Sequence, residues 1–378
     1  MTRIAALFAV ALTCLPCVLA AQTDPVQTAR RAAVMLDQAG LALQDASGAR
    51  DRVAALTQTV RAYEEGLTAL REGLRRVIIR EQVLRAELDA RREEISELLA
   101  VLATLQRDPE TLLLLHPSGP LGTAQSGMLL REVTPALQSR VNDLRAQLDE
   151  VTLLRALQES AESQLADGLD GIQTARTALS QAVSDRTDLP QRLSADPARL
   201  DALLQSSETL EGFATGLLSL DDAAPLPPVS QFKAARGNLP LPAQGTVLRR
   251  FGEADAAGIK RQGLVLATAP LALVTTPSAA TIRYRGPLLD YGNVMILEPA
   301  GDVLIVLGGL AQVYGETGQV LPAGAPVGLM GGQDPAASAF LRAGEKGSGN
   351  GRTETLYIEL RQNGQPEDPA PWFAATKE

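Results

Sequence analysis

Apolar positions in the first half of the chain recur in alternating steps of three and four. One seam runs Tyr63, Leu67, Leu70, Leu74, Val77, Leu84, Leu88, Ile95, Leu98, Leu102 and Leu105, and no proline interrupts it. That spacing is a heptad repeat and predicts a coiled-coil helix. Glu81 and Arg91 break the apolar line; polar residues at such positions fix register at some cost in stability. A second seam runs Leu137, Val141, Leu144, Leu148, Val151, then Leu165, Leu169, Ile172, Leu179 and Val183. Between them, Pro109, Pro117, Gly119, Pro120, Gly122 and Gly127 predict a break. Two heptad segments joined by a break fold most simply as an antiparallel hairpin. It is expected over residues 22–190, with its tip at residues 107–128. About 50 seam residues at about 1.5 Å each give a rod of about 75 Å. The first arm is the longer, so its surplus near residues 30–48 is free to pack elsewhere, with Gly40 and Gly48 as candidate breaks.

The pattern then changes twice. Asp196-Pro197 reads as a helix start, and Leu200, Leu203, Leu204, Leu210, Phe213, Leu217 and Leu220 form one stripe. One amphipathic helix is therefore expected within residues 191–220. Its stripe has two possible seats, the base of the rod or a groove in the domain that follows. Pro225, Pro227, Pro228 and Gly237 mark residues 221–238 as a linker. From residue 239 onward, short Val/Ile/Leu runs alternate with Gly and Pro, which predicts a mainly antiparallel β domain over residues 239–378. The fold class is α+β. In the stretch at 353–361, strand alternation puts Thr355 and Tyr357 on one face.

Composition narrows the function. A chain of 378 residues suggests two or three modules, and a formal charge of −9 argues against a nucleic-acid partner. Aromatic residues are only 3%, which suits Leu- and Ala-rich rods. The single histidine, His116, cannot serve a site that needs several. Arg3 followed by the apolar stretch 4–19 reads as a signal peptide over residues 1–21. Cys14 and Cys17 both lie inside it, so the mature chain would hold no disulfide and no thiolate zinc site. A periplasmic protein, not membrane-spanning after cleavage, is expected. Leu112, Leu113, Leu114 and Leu115 at the rod tip need burial, either as a cap on the hairpin or as a docking surface.

Several local motifs carry a resemblance. Pro242-Ala243-Gln244-Gly245-Thr246-Val247 leads on to Phe251-Gly252, Tyr291-Gly292-Asn293-Val294 opens a strand, and Val320-Leu321-Pro322-Ala323-Gly324 makes a turn. These resemble the LytM (lysostaphin-like) zinc peptidases, and the order of parts resembles the EnvC-type murein hydrolase activators. LytM peptidases bind zinc through H-x-x-x-D and H-x-H. Aligned on Gly263, the ligand positions fall on Arg261 and Val265, the catalytic histidine on about Gly309, and H-x-H on Thr355 and Tyr357. A zinc site needs three His or carboxylate ligands, and none stands here. The resemblance therefore implies a degenerate, non-catalytic domain without a cofactor.

It further implies a groove lined by Arg261, Gln262, Val265, Tyr291, Tyr357 and Arg361, with Glu359 the weakest candidate. Its expected occupant is the inhibitory helix of an N-acetylmuramoyl-L-alanine amidase, switched on at the septum. Leu210, Phe213 and Leu217 would form a restraining helix, and the rod would couple to the FtsE–FtsX division complex. The alternative is a scaffold whose groove binds peptidoglycan.

Overall fold

The computed structural model describes residues 25–93, 95–97, 100, 119–186, 189–192, 197–219, 229–254, 258–336 and 354–374. The signal segment, His116 and the four tip leucines Leu112 to Leu115 lie outside them. Among the described residues no helix is long and apolar enough to cross a membrane.

Three helices form the rod: α1 (Pro25–Asp45), α2 (Ala49–Ala90) and α3 (Gly119–Ser184). The seams meet as their spacing requires. Leu67 and Leu84 of α2 are buried together with Val151, Leu154, Leu165, Leu169, Ile172, Leu179 and Val183 of α3. Leu148 is half exposed, because a helix of 3.6 residues per turn drifts off a strict heptad line. Glu81 is buried and held by Arg85 at 2.6 Å, Arg155 at 3.2 Å and Gln158 at 2.6 Å. These partners come from both helices, so a slip in register would strand its charge.

Of the two candidate breaks in the long first arm, the chain uses Gly48: the arm is two helices, and its surplus, α1, folds back along α2, with Ala32 against Gly66. One expectation about the rod changes. The tip expected at 107–128 is shorter on its C-terminal side, since α3 already starts at Gly119. Pro120 sits in the first turn, where its missing N–H leaves no bond unmade, and Gly122 and Gly127 only lower helix propensity.

The region expected as one amphipathic helix is two, α4 (Pro197–Ser206) and α5 (Leu210–Ser219). Thr209 divides them: its Oγ1 accepts the Gly212 N–H at 3.1 Å, an N-cap that starts α5. The expected linker also shortens. Residues 229–234 form α6 (Val229–Ala234), whose Phe232 stacks on Trp372 with ring centroids 4.7 Å apart.

The β domain holds β1 (Gly245–Arg249), β2 (Leu264–Thr268), β3 (Leu273–Thr275), β4 (Ala280–Pro287), β5 (Asn293–Ala300), β6 (Val303–Val313), β7 (Val320–Leu321), β8 (Pro326–Met330), β9 (Glu354–Gln362) and β10 (Gln365–Glu367). All pair antiparallel, in the order β1-β2-β9-β6-β5-β4-β7, with β8 between β6 and β3. One face of the sheet buries Leu264, Leu266, Met295, Leu307, Leu356 and Ile358 with Trp372 and Phe232. The opposite face carries the candidate site.

The rod base docks on β3 and β8, where Leu273, Tyr314 and Leu329 join the rod core. Polar contacts frame this junction. The Leu273 N–H donates to Glu64 Oε1 at 2.7 Å, and Arg176 lies 3.6 Å from Glu64 and 2.7 Å from Asp334. The Gly-, Ser- and Ala-rich composition of residues 334–352 reads as a flexible loop, but Asp334 at its start is clamped by Arg176 and Arg71. Burial pushes the Glu64 carboxyl from 4.5 up to about 7, against the pull of the Leu273 N–H and the Arg176 and Arg61 guanidinium groups. The folded state thus takes up a proton that the unfolded state lacks between these values. Its stabilisation is complete below pH 4.5 and is lost as pH rises through about 7. Urea unfolding should show the wild type losing on the order of 3 kcal/mol more than Glu64→Gln between acidic and mildly alkaline pH. Parallel pH dependence of the two proteins would refute the assignment.

Candidate binding groove

Strand β9 sets the site. It lies between β2 and β6, with Tyr357 opposite Val265 on one side and Gly308 on the other. Alternation sends Leu356, Ile358 and Leu360 into the core beneath. Thr355, Tyr357, Glu359 and Arg361 therefore share the other face.

Arg261, Tyr291 and Tyr357 meet there. The Arg261 guanidinium lies 5.0 Å from the Tyr291 ring centre and 6.0 Å from that of Tyr357, and the two rings are 5.1 Å apart. Cation–π attraction holds such a stack. The Tyr357 hydroxyl donates to Glu359 Oε2 at 2.5 Å. Burial, reinforced by the Glu359 charge, pushes that hydroxyl far above its ordinary range, so Tyr357 stays a neutral donor. Arg361 Nη1 donates to Glu359 Oε1 at 2.5 Å, and its Nη2 and Nε donate to the Gly364 carbonyl at 2.7 and 3.2 Å. Burial raises the Glu359 carboxyl, while the bonds from Tyr357 and Arg361 pull it down.

Helix α5 lies over this face. Leu210, Phe213, Ala214 and Leu217 pack against Tyr284, Val294, Ile296, Leu304, Val306 and Tyr357. Its spacing makes this inevitable once it docks: positions i, i+3, i+4 and i+7 form one helical stripe. Arg283 Nη2 donates to the Leu217 carbonyl at 2.6 Å, which caps the end of α5. Glu211 Oε1 sits 3.6 Å from Arg361 Nη2. Of the two seats open to the stripe, α5 takes the groove rather than the rod base.

The expected site residues are thus partly gathered. Arg261, Val265, Tyr291 and Tyr357 come together, and Gln262 is exposed beside them. Arg361 is 2% exposed on the same face beneath α5, where it donates to Glu359 and Gly364 and lies 3.6 Å from Glu211 of that helix. Thr355 is exposed and pairs with Ala267. Glu211, Arg283 and Gly364 were missed; only the acid directly after Leu210 hinted at a polar contact on the helix.

The residues do not fit a zinc ion. The positions aligned with ligands carry a guanidinium, an isopropyl group, a threonine and a phenol that is already bonded to Glu359. A side chain at Gly309 is closed off, since φ there is +91° and a Cβ would lie 2.6 Å from the Thr355 carbonyl oxygen. A Cβ at Gly263 would lie 2.6 Å from the Tyr357 ring, so the tyrosine fills the space beside the strand. Among the described residues, no three His, Cys, Asp or Glu side chains are grouped to hold a metal.

Two curated relatives bear on these features. The chain is 26% identical over 140 residues to the murein hydrolase activator EnvC of Escherichia coli, covering 37% of this chain and 30% of that one. The chain is homologous to EnvC. It is also 27% identical over 142 residues to an uncharacterized Neisseria meningitidis protein, covering 38% of this chain and 21% of that one. The match therefore spans under a third of either relative. Among solved structures, the catalytic domain of lysostaphin from Staphylococcus simulans is similar at 17% identity and a TM-score of 0.27, covering 35% of this chain and 93% of that one. The catalytic domain of the prophage-encoded M23 protein EnpA from Enterococcus faecalis gives 17% identity and a TM-score of 0.27, covering 36% and 95%. No family model matches the chain.

Proposed function

We propose that this chain is a non-catalytic activator of a peptidoglycan amidase, with the groove under α5 as its binding surface. The observation that carries this reading is the seat of α5: its apolar stripe covers the face bearing Tyr357 and Glu359, in a domain whose described residues group no zinc ligand set. A groove with an apolar floor and a Tyr–Arg edge suits an amphipathic helix. The homology to EnvC, a murein hydrolase activator, supports the same role. The occupant is then the inhibitory helix of an N-acetylmuramoyl-L-alanine amidase, and α5 holds its place until the rod is moved. The protein works in the periplasm at the division septum, with the FtsE–FtsX complex as the partner that moves the rod. Any zinc belongs to the amidase.

The test is dye release from labelled sacculi by a purified amidase, with and without this protein. Wild type should stimulate release, the protein alone should release nothing, and Arg261→Glu/Tyr291→Ala should lose most of the stimulation. Both residues are part exposed, so the fold should survive. Undiminished stimulation by that variant would remove the groove from the reading. Binding of the protein to sacculi without any effect on the amidase would favour a peptidoglycan scaffold.

A further inference from the structure

Two arginines lie under opposite ends of α5. Arg361 Nη2 is 3.6 Å from Glu211 in the first turn of the helix, and Arg283 Nη2 donates to the Leu217 carbonyl at 2.6 Å in its last. These two contacts are about 9 Å apart along the helix axis. Each guanidinium is buried and already held by an acid of its own sheet: Arg361 by Glu359 at 2.5 Å, and Arg283 by Glu298 at 3.5 Å. Neither needs to be ordered when a helix arrives.

The apolar stripe of α5 does not set a direction. Leu210, Phe213, Ala214 and Leu217 are spaced three, one and three residues apart, and that spacing reads the same from either end. The polar contacts do set one. A helix carries partial positive charge at its N-terminus and partial negative charge at its C-terminus. Arg283 thus meets the end that favours a cation, whereas Arg361 lies under the end that repels one. Glu211, in the first turn directly after Leu210, offsets that repulsion. The Glu211 side chain is 64% exposed, so its pair with Arg361 is screened and worth a small factor in affinity. The bond from Arg283 to the Leu217 carbonyl is buried and charge-assisted, so it weighs more.

We propose that Arg361 and Arg283 select the groove's occupant and its direction, which rests on the groove being a helix seat as proposed above. The partner is an amphipathic helix with apolar side chains at i, i+3, i+4 and i+7, an acid at i+1, and its C-terminal end over Arg283. Helix α5 meets this rule from within the chain, and a partner that displaces it meets the same rule from outside. Specificity then comes from the two ends, while the stripe supplies most of the affinity.

The probe is a fluorescein-labelled peptide with the sequence of Glu208–Ser219, added at low salt to the full-length mature Phe213→Asp/Leu217→Asp protein. Anisotropy should show saturable binding with a Kd below about 100 μM. Wild type should bind at least about fivefold more weakly, because its own α5 fills the seat. A Glu211→Gln peptide should bind about threefold more weakly than the parent, and added salt should narrow the gap. With Glu359→Gln/Arg361→Met added to the protein, the two peptides should bind alike. The reversed sequence presents the same stripe only with its N-terminus over Arg283, and should bind about tenfold more weakly than the parent. The proposal fails if the parent peptide does not bind the opened variant, or if the reversed peptide binds as tightly. It fails equally if the Glu and Gln peptides bind alike while Arg361 is present, or if their difference survives the loss of Arg361. A purified amidase that displaces the peptide would join this rule to the amidase reading. Intact peptide selectivity without displacement would keep the rule and remove the amidase as its target.

Discussion

A Phe213→Asp/Leu217→Asp variant is expected to stimulate a purified amidase about tenfold more than wild type when no upstream partner is present. Phe213 and Leu217 are 0% and 1% exposed, and the Phe213 ring meets Tyr284 edge-on at 4.8 Å. Truncating a buried Phe costs about 3–5 kcal/mol, and an unpaired carboxylate in the same place costs more. Helix α5 has 10 residues, too few to stand alone in water. The loss should therefore undock α5 without unfolding the domain, whose main core lies on the opposite face of the sheet around Leu266, Leu307 and Trp372. Two measurements separate the steps. Limited proteolysis should show residues near α5 cut early, while near-ultraviolet circular dichroism keeps the Trp372 signal. If α5 is released and amidase stimulation does not rise, the restraint reading fails. If α5 resists protease, the packing argument fails first.

The parts of this design that were legible in the sequence are periodic ones. The heptads of α2 and α3 and the alternation of β9 follow from local geometry, so the residues announce them. The break between α4 and α5 was legible in principle: Ser206, Ser207, Glu208 and Thr209 are polar, and Thr209 is a good cap. The continuing leucine stripe on both sides concealed it. The burial of Asp334 and Arg361 was hidden for another reason. A charged residue in a Gly-rich loop or on a strand reads as solvated, since such residues are rarely buried. What meets them comes from far along the chain: Arg176 for Asp334, and Glu211 on α5 for Arg361. The absence of zinc ligands needed no tertiary information. The stack of Arg261 on Tyr291 and Tyr357 that fills their place did.

Arg361 supplies the second large effect. Arg361→Ala should cost the β domain about 3–5 kcal/mol, because it leaves Glu359 buried beside no counter-charge. A drop in Tm on the order of 10 °C follows for a domain of this size. The contacts specify how the deficit depends on pH. Burial already raises the Glu359 carboxyl, and Arg361 is among the groups that hold it down. Without the arginine the folded-state value rises further, so the variant takes up a proton that the unfolded chain lacks. Its stability should fall as pH rises through that value, and its deficit against wild type should shrink in acid. A neutral Glu359 needs no counter-charge. The same logic predicts that Glu359→Gln/Arg361→Met recovers most of the loss, since the pair is removed together and the Met chain refills the volume. A merely space-filling role for Arg361 predicts otherwise: Arg361→Met alone would be near wild type at every pH. That outcome would demote the Tyr357–Glu359–Arg361 chain from an electrostatic unit to ordinary packing. A pH-dependent deficit rescued only by the double change would establish that the face beneath α5 is built around a buried ion pair.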